Sequence, residues 1–363
     1  MRLEPVKAVL DHPGPFVTVH AEVGRGTADA VSQRDARWTT IRHELEHAGV
    51  SEALVARIGE KLLDNTHLPG DVRRTIVGAD DEVVLDDVQP GHSAWPEVTE
   101  VACLPELSAW LAAGDAACSF VLVNADRIGA DISLHSAVAE PASVERSVDG
   151  ESFYVTKVAE GDWAQKQFQQ SAENAWRENA EMVAEEVLSI ARRHRPEVAL
   201  VAGETRARAE VLRALEDAHG ELPPVREITS GGRAEGASTE ALWTEIEQVI
   251  AGVVHERDAA FTARLDQARG QGEGAATGLD DVVAALAQSK VEHLAVDLAA
   301  MSDRTIATDR LTGVPLPARA QAEAELPADR ALVAAAALTG AQLTLLPSSM
   351  SHGGGVAALL RWD

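Results

Sequence analysis

The alternation of apolar and polar residues in "FVTVHAEV", Phe16–Val23, predicts a strand. From Thr39 to Leu63 the apolar positions recur every three or four residues, which predicts a helix broken near Gly49. "RRTIVGADDEVVLDDV", Arg73–Val88, predicts a short β section, and "WPEVTEVACLPELSAWLAAG" a proline-punctuated segment followed by a short helix. Residues 1–118 therefore read as a compact α+β unit.

The pattern then changes. "CSFVLVNADRIGADISLHSAV" holds two strands joined by a turn at Ala125–Gly129, and "SVERSV" and "SFYVTKVAE" are strand-like. A long helix is predicted from Trp163 to Arg195, with the apolar stripe Phe168, Ala172, Trp176, Ala180, Val183, Val187 and Ile190. Its length is roughly 45 Å at 1.5 Å per residue. "EVALVAGET" predicts a strand and turn, "RARAEVLRALEDAHG" a helix ended by Gly220, "VREITS" a strand, and Thr239–Arg269 a second long helix. This βαβα order implies a partly parallel sheet covered by helices. "GQGEGAATG", Gly270–Gly278, reads as a linker. Beyond it, "GLDDVVAALAQSKVEHLAVDL" and "ADRALVAAAALTGAQLTLLPSS" each predict a helix and a strand, and "GGGVAALLRWD" a final strand. The fold class is α/β and α+β in three domains: residues 1–118, 119–270 and 271–363. The middle domain is a mixed sheet with long helices, and the last a small α/β sandwich.

Charge narrows the function. The formal net charge is −26, and each of the three segments is acidic, which argues against broad nonspecific binding to nucleic acid. Cys103 and Cys118 form no metal motif and sit in apolar surroundings, as reduced core thiols do. The opening residues carry no secretory pattern, and no run approaches the ~20 apolar residues of a membrane span. The expectation is a soluble, cytoplasmic chain with no membrane partner and no cofactor.

Several motifs bear on chemistry. "HELEH" matches the H-E-x-x-H zinc-protease pattern, with His43 and His47 as ligands and Glu44 as base. On a helix that buries Trp38, Ile41, Leu45 and Ala48, His43 falls about 200° from Ile41, on the solvated side. A charged helix face accounts for it, and no metal site is assigned. "SGGRAEGAS", Ser230–Ser238, is either an anion-binding nest or a strand-to-helix loop capped by Ser238 or Thr239. Arg192, Arg193 and Arg195 suit the dipole at the end of the long helix. Arg206, Arg208 and Arg213 begin the next helix, where the dipole disfavours cations, so they are candidate phosphate contacts. Arg34 and Arg37, with Arg25 and Arg42, form a second candidate patch. The stretch "AEGDWAQKQFQQSAENAW" places Gly161, Asp162, Trp163, Ala164, Gln165, Lys166 and Gln167 at the mouth of the long helix. Glutamine hydrogen-bonds with both ends of its amide but does not ionise, which suits contact with a polar partner better than proton transfer.

The chain's end resembles a known family. "GAQLTLL" and "GGGVAALLRW" are similar to the strand and terminal "G-G-I-x-A-x-L-R-aromatic" strand of the C-terminal domain of archaeo-eukaryotic peptide-release factors and Pelota. "GLDDVVAALAQSKVEHLAV" is similar to that domain's start. The middle segments "ADRIGADISLHS", "EGDWAQKQFQQ", the long helix and "EVALVAGE" follow the order of the family's middle domain. The resemblance covers about 119–363, and among its branches is closest to the bacterial release-factor-like proteins that include the ribosome hibernation factor Balon.

The resemblance implies that residues 161–167 stand where the family's Gly-Gly-Gln loop enters the peptidyl-transferase centre, with Gln165 at the glutamine. The paired glycines are missing, and Asp162, Trp163 and Ala164 follow Gly161. The reading is therefore a ribosome-binding hibernation factor occupying the A site of idle ribosomes without hydrolysis. Trp163 would stack on a base of ribosomal RNA, and Gln165, Lys166 and Gln167 would hydrogen-bond to it. The first domain would sit near the decoding centre, and the last would engage a translational GTPase such as elongation factor Tu. One alternative is a peptidyl-tRNA hydrolase or rescue factor with Gln165 as its catalytic residue. A remote one is a zinc hydrolase at His43, Glu44 and His47.

Overall fold

The computed structural model describes the chain except for residues 2, 25–29, 65–70, 92–94, 127–128, 139–141, 150–161, 231–238, 347–353 and 363, with the backbone alone at 30, 149 and 162–175. Two compact units result: Met1–Ala116 with Asp258–Asp363, and Ala117–Arg257.

The chain opens with α1 (Glu4–Leu10), β1 (Phe16–Gly24), α2 (Ala30–His47), α3 (Glu52–Leu63), β2 (Val72–Ala79), β3 (Glu82–Pro90), β4 (Val98–Ala102) and α4 (Ser108–Ala116). The strands form an antiparallel sheet in the order β3-β2-β1-β4. Alternation on β1 sends Val17, Val19, Ala21 and Val23 to one face, where they meet Ile41 and Leu45 of α2 and Leu54, Ile58 and Leu62 of α3. Ser51 starts α3, its Oγ accepting the Leu54 N–H at 3.2 Å. α2 begins nine residues before the expected Thr39. Its early turns give little sign of this, since Val31 is 62 % exposed and Ser32 and Gln33 lie in solvent. Ala48, expected in the buried stripe, is exposed beyond the end of α2. The opposite sheet face is more polar. His20 there pairs its Nδ1 with Thr75 Oγ1 at 2.8 Å, and burial pushes its pKa down to about 4, so the ring is neutral at pH 7.

The second unit holds β5 (Phe120–Ala125), β6 (Gly129–His135), β7 (Val144–Asp149), α5 (Asp162–His194), β8 (Val198–Gly203), α6 (Thr205–Asp217), β9 (Val225–Glu227) and α7 (Thr239–Gln271) up to Arg257. Its strand order is β7-β6-β5-β8-β9. β7, β6 and β5 pair antiparallel, whereas β5, β8 and β9 pair parallel, which is the mixed sheet that the βαβα order implied. One face packs Val121, Val123 and Ile132 against Ala180, Val183, Val187 and Ile190 of α5 and Val211 and Leu215 of α6. The other packs Phe120, Leu122 and Leu200 against Leu242, Ile246 and Ile250 of α7. The stripe read from the α5 sequence is thus the buried one from Ala180 onward. Trp176 is half-buried, and the side chains of Phe168 and Ala172 lie outside the described residues, as do residues 152–160.

The last segment adds β10 (Ala275–Thr277), α8 (Leu279–Ala287), β11 (Val291–Val296), α9 (Leu298–Ser302), β12 (Thr305–Ala307), α10 (Ala318–Gln321), β13 (Glu325–Pro327), α11 (Ala328–Thr339), β14 (Gln342–Leu345) and β15 (Val356–Leu360). Its main sheet runs β10-β15-β11-β14, and β12 pairs with β13. The stretch 270–278 is not simply a linker. α7 runs through Gly270 and Gln271, and Ala275–Thr277 pairs with Ala357–Leu359. Gly340 closes α11 in the left-handed conformation, with φ 68°.

One hydrophobic core joins the first and last segments. Val6, Leu10, Leu107 and Leu111 pack in the same cluster as Val282, Leu298, Leu332 and Leu343. At its edge Arg330 of α11 donates to both carboxylate oxygens of Glu100, at 3.0 and 2.8 Å, and its Nε lies 3.3 Å from Glu106. Both cysteines are free thiols, and burial raises that of Cys118 to about 12, which leaves it unreactive at neutral pH. Among the described residues no helix is long and apolar enough to cross a membrane.

Candidate nucleic-acid interface

The N-terminal end of α5 carries the first set of expected site residues. Gly161 lies outside the described residues. Asp162, Trp163, Ala164, Gln165, Lys166 and Gln167 form the first turns of the helix, one residue earlier than the expected start at Trp163, and their side chains lie outside the described ones. The helix has 33 residues, so it extends roughly 50 Å. Among its described side chains, burial begins at Asn179 and Ala180. Asp162 precedes Asn179 by roughly 25 Å of helix axis at 1.5 Å per residue. An acidic residue at that end suits the dipole.

A second set gathers where β5 and β8 end. Gly203 closes β8 with φ +118°, a conformation L side chains rarely adopt. A Cβ there would stand 1.9 Å from the carbonyl oxygen of Ala125. Glycine is what lets β8 turn directly into α6, with Glu204 N–H donating to that same oxygen at 2.9 Å. The turn is locked from below by Arg208. Its Nη1 donates to Gly203 O at 3.1 Å and its Nε to Glu227 at 2.6 Å, and the residue is 8 % exposed. Arg208, expected as a phosphate contact, is thus turned inward by these two bonds. Arg213 is exposed and donates to Glu210 in the same helix, at 2.9 Å. Arg206 differs from both. It is exposed, its guanidinium lies 5.7 Å from the centroid of the Trp176 ring, and no carboxylate pairs with it among the described residues. Trp176, Arg206, Asp126, Gly129 and Asn179 line one cavity. Asp126 shapes its rim by accepting the Gly129 N–H at 2.9 Å.

The remaining expected residues lie elsewhere. Arg37 pairs with Glu97 at 2.8 Å and donates to Glu22 O at 2.9 Å, bracing α2 against the sheet. Arg34 is partly buried, and its Nε has no hydrogen-bond partner among the described residues. Arg25 and residues 231–238 are outside the described residues. His43, Glu44 and His47 are all exposed on α2, and the two imidazoles meet edge to face with centroids 4.6 Å apart. No cluster of three or more His, Cys, Asp or Glu able to hold a metal occurs among the described residues. Beside residues 231–238, Glu245 accepts from Thr229 and Ser230, and these hydrogen bonds outweigh its burial and lower its pKa to about 2. Sequence reasoning treated Trp176 as core and missed Asn179, Asp126 and Gly203. The glycine in "VAGE" at a strand end was the available signal.

The fold is a mixed α/β one with several sheets. Residues 119–271 match the model of bacterial archaeo-eukaryotic release factor family 2. Two uncharacterized proteins of Mycobacterium tuberculosis, from strains CDC 1551 / Oshkosh and ATCC 25618 / H37Rv, are each 27 % identical over the whole chain and 97 % of their own length. Among solved structures, archaeal Pelota from a ribosome-bound assembly with ABCE1 is 20 % identical, with a TM-score of 0.39 over 68 % of this chain and 62 % of that one. The chain thus spans just under two thirds of that Pelota. Saccharomyces cerevisiae Dom34, described as a translation termination-like factor interacting with Hbs1, is 9 % identical, with a TM-score of 0.39 over 81 % of this chain and 80 % of that one.

Proposed function

We propose that the chain is a ribosome-binding factor that occupies the A site of idle ribosomes and does not hydrolyse peptidyl-tRNA. The observation that carries this reading is the residue run at the start of α5 within the family-matched segment. Where release factors are expected to hold Gly-Gly-Gln, this chain has Gly161-Asp162-Trp163-Ala164-Gln165, and from Asp162 the backbone is helical. A helical turn lacks the freedom of two consecutive glycines to wrap around a reacting ester. It keeps the reach of a rod and an amide-rich, tryptophan-bearing end, which suits stacking and hydrogen bonding to RNA.

In this reading residues 1–118 lie near the decoding centre, and residues 271–363 engage a translational GTPase, with elongation factor Tu the first candidate. The acidic balance leaves little general attraction for RNA, so fit within the ribosomal cavity supplies the binding. Ribosomes pelleted from stationary cells test this. The chain is expected to pellet with them, and Trp163→Ala to weaken the association about tenfold, the scale of one stacked base. Purified chain is expected to leave peptidyl-tRNA intact on ribosomes. Cleavage that disappears in Gln165→Ala would replace this reading with a peptidyl-tRNA hydrolase.

A further inference from the structure

The first turn of α11 buries a carboxyl group inside the core shared by the first and last segments. Asp329 is 2 % exposed, and its Oδ1 has no hydrogen-bond partner among the described residues. It lines a cavity of about 10 Å³, room for a single water, between α1, α4 and α11. Val6 and Leu10 of α1, Leu111 of α4 and Leu298 of α9 supply apolar walls. The charged groups beside Asp329 are Glu106, from the loop before α4, and Arg330 on α11, with Glu100 of β4 beyond Arg330. On the other elements packed against α11, Asp297 accepts the Ala300 N–H at the start of α9, and Glu325 of β13 accepts from Thr305.

The charges of this cluster do not balance. Among the described residues three carboxyl groups surround one guanidinium, and Arg330 is committed to two of them, bonding both oxygens of Glu100 and lying 3.3 Å from Glu106. Asp329 is left with the Arg330 N–H and the dipole of its own helix. A buried carboxylate without a counter-charge of its own favours taking up a proton. We infer that Asp329 makes the packing of α11 against the first segment proton-dependent, with the packed form favouring the protonated carboxyl and ionisation loosening α11 from α1 and α4. Burial is the largest influence on the group. With the Glu106 charge it outweighs the Arg330 N–H and guanidinium, and raises the carboxyl above its ordinary 3.8. A folded-state value above the unfolded one gives stability that is full below pH 3.8 and is lost as the pH rises through the folded-state value. The contact therefore weakens toward neutral and alkaline pH.

The test compares urea unfolding of the full wild-type chain and Asp329→Asn, an uncharged carboxamide of the same shape, at about pH 4 and pH 8. Every other acid is common to both proteins and cancels in the difference between them. The midpoint of the variant minus that of the wild type is expected to grow from pH 4 to pH 8. Limited proteolysis locates the effect, with more cleavage of the wild type than of the variant within 1–116 and 258–363 at pH 8. Asp329→Ala, which also removes the charge, is expected to show the same pH dependence and keeps the test open if Asp329→Asn does not fold. A midpoint difference equal at the two pH values overturns the inference, since Asp329 then acts through packing alone. A difference that shrinks toward pH 8 also overturns it, since the ionised carboxylate would then be supporting the start of α11.

Discussion

Gly203→Ala is expected to unfold the 117–257 unit at 25 °C, or to lower its stability by more than about 4 kcal/mol. Two costs combine. The backbone at φ +118° is one that alanine adopts only with strain of about 1–3 kcal/mol. The added Cβ also meets Ala125 O at 1.9 Å, Ala125 N at 2.6 Å and Ala125 C at 2.7 Å, all backbone atoms of the neighbouring strand. Ala125 is paired with Gly203 in the parallel ladder of β5 and β8, so relief requires parting two central strands. The surrounding residues Val123, Val201 and Ala202 are fully buried, which leaves nowhere for either strand to move. Urea unfolding followed by limited proteolysis reads the effect. Cleavage is expected within 117–257, with the other unit protected. A variant with the wild-type midpoint would show that the turn at Gly203 is not the constraint described.

Arg330→Met is expected to destabilise the other unit by about 3 kcal/mol. Arg330 has a side chain 16 % exposed and is fastened to Glu100 through two hydrogen bonds, with Glu106, itself 14 % exposed, 3.3 Å from its Nε. Removing the cation leaves a shielded carboxylate without its counter-charge, which costs about 3–5 kcal/mol in a buried pair. Glu100 is 40 % exposed and recovers part of its hydration, which places the effect at the lower end. Arg330→Lys is expected to recover less than half, because an ammonium cannot span both oxygens of Glu100 while reaching Glu106. Since Arg330 sits on α11 and both acids precede α4, the pair ties the last segment to the first across 230 residues of sequence. Equal midpoints for Arg330→Met and wild type in urea would show that the shared apolar core alone holds these segments.

The elements most legible in sequence were those with one dry and one wet side. β1 alternates because one of its faces meets α2 and α3, and α5 from Ala180 onward carries a stripe because its sheet buries that stripe. Where burial is slight the pattern fades, which is why α2 was read nine residues short. β10 was hidden by the glycines around it, since a three-residue strand needs only a partner, β15, that lies some eighty residues away. The same limit applied to the common core of the first and last segments, whose contacts leave no local period. In the candidate interface, the spacing of Trp176 marked it as buried and said nothing of Arg206 on another helix. The inward turn of Arg208 and the outward position of Arg206, two residues apart, follow from helical phase against β9 and α5, which only the fold supplies.

Under the proposed function, the start of α5 reaches into an RNA cavity of the ribosome. A cryo-EM map of ribosomes from starved cells, or of ribosomes mixed with the purified chain, tests it most directly. The expected map holds α5 in the A site with Asp162–Gln167 against the peptidyl-transferase centre and residues 1–118 beside the decoding centre. A map with an empty A site under saturating protein, or with the chain bound and the start of α5 turned toward solvent, would contradict it.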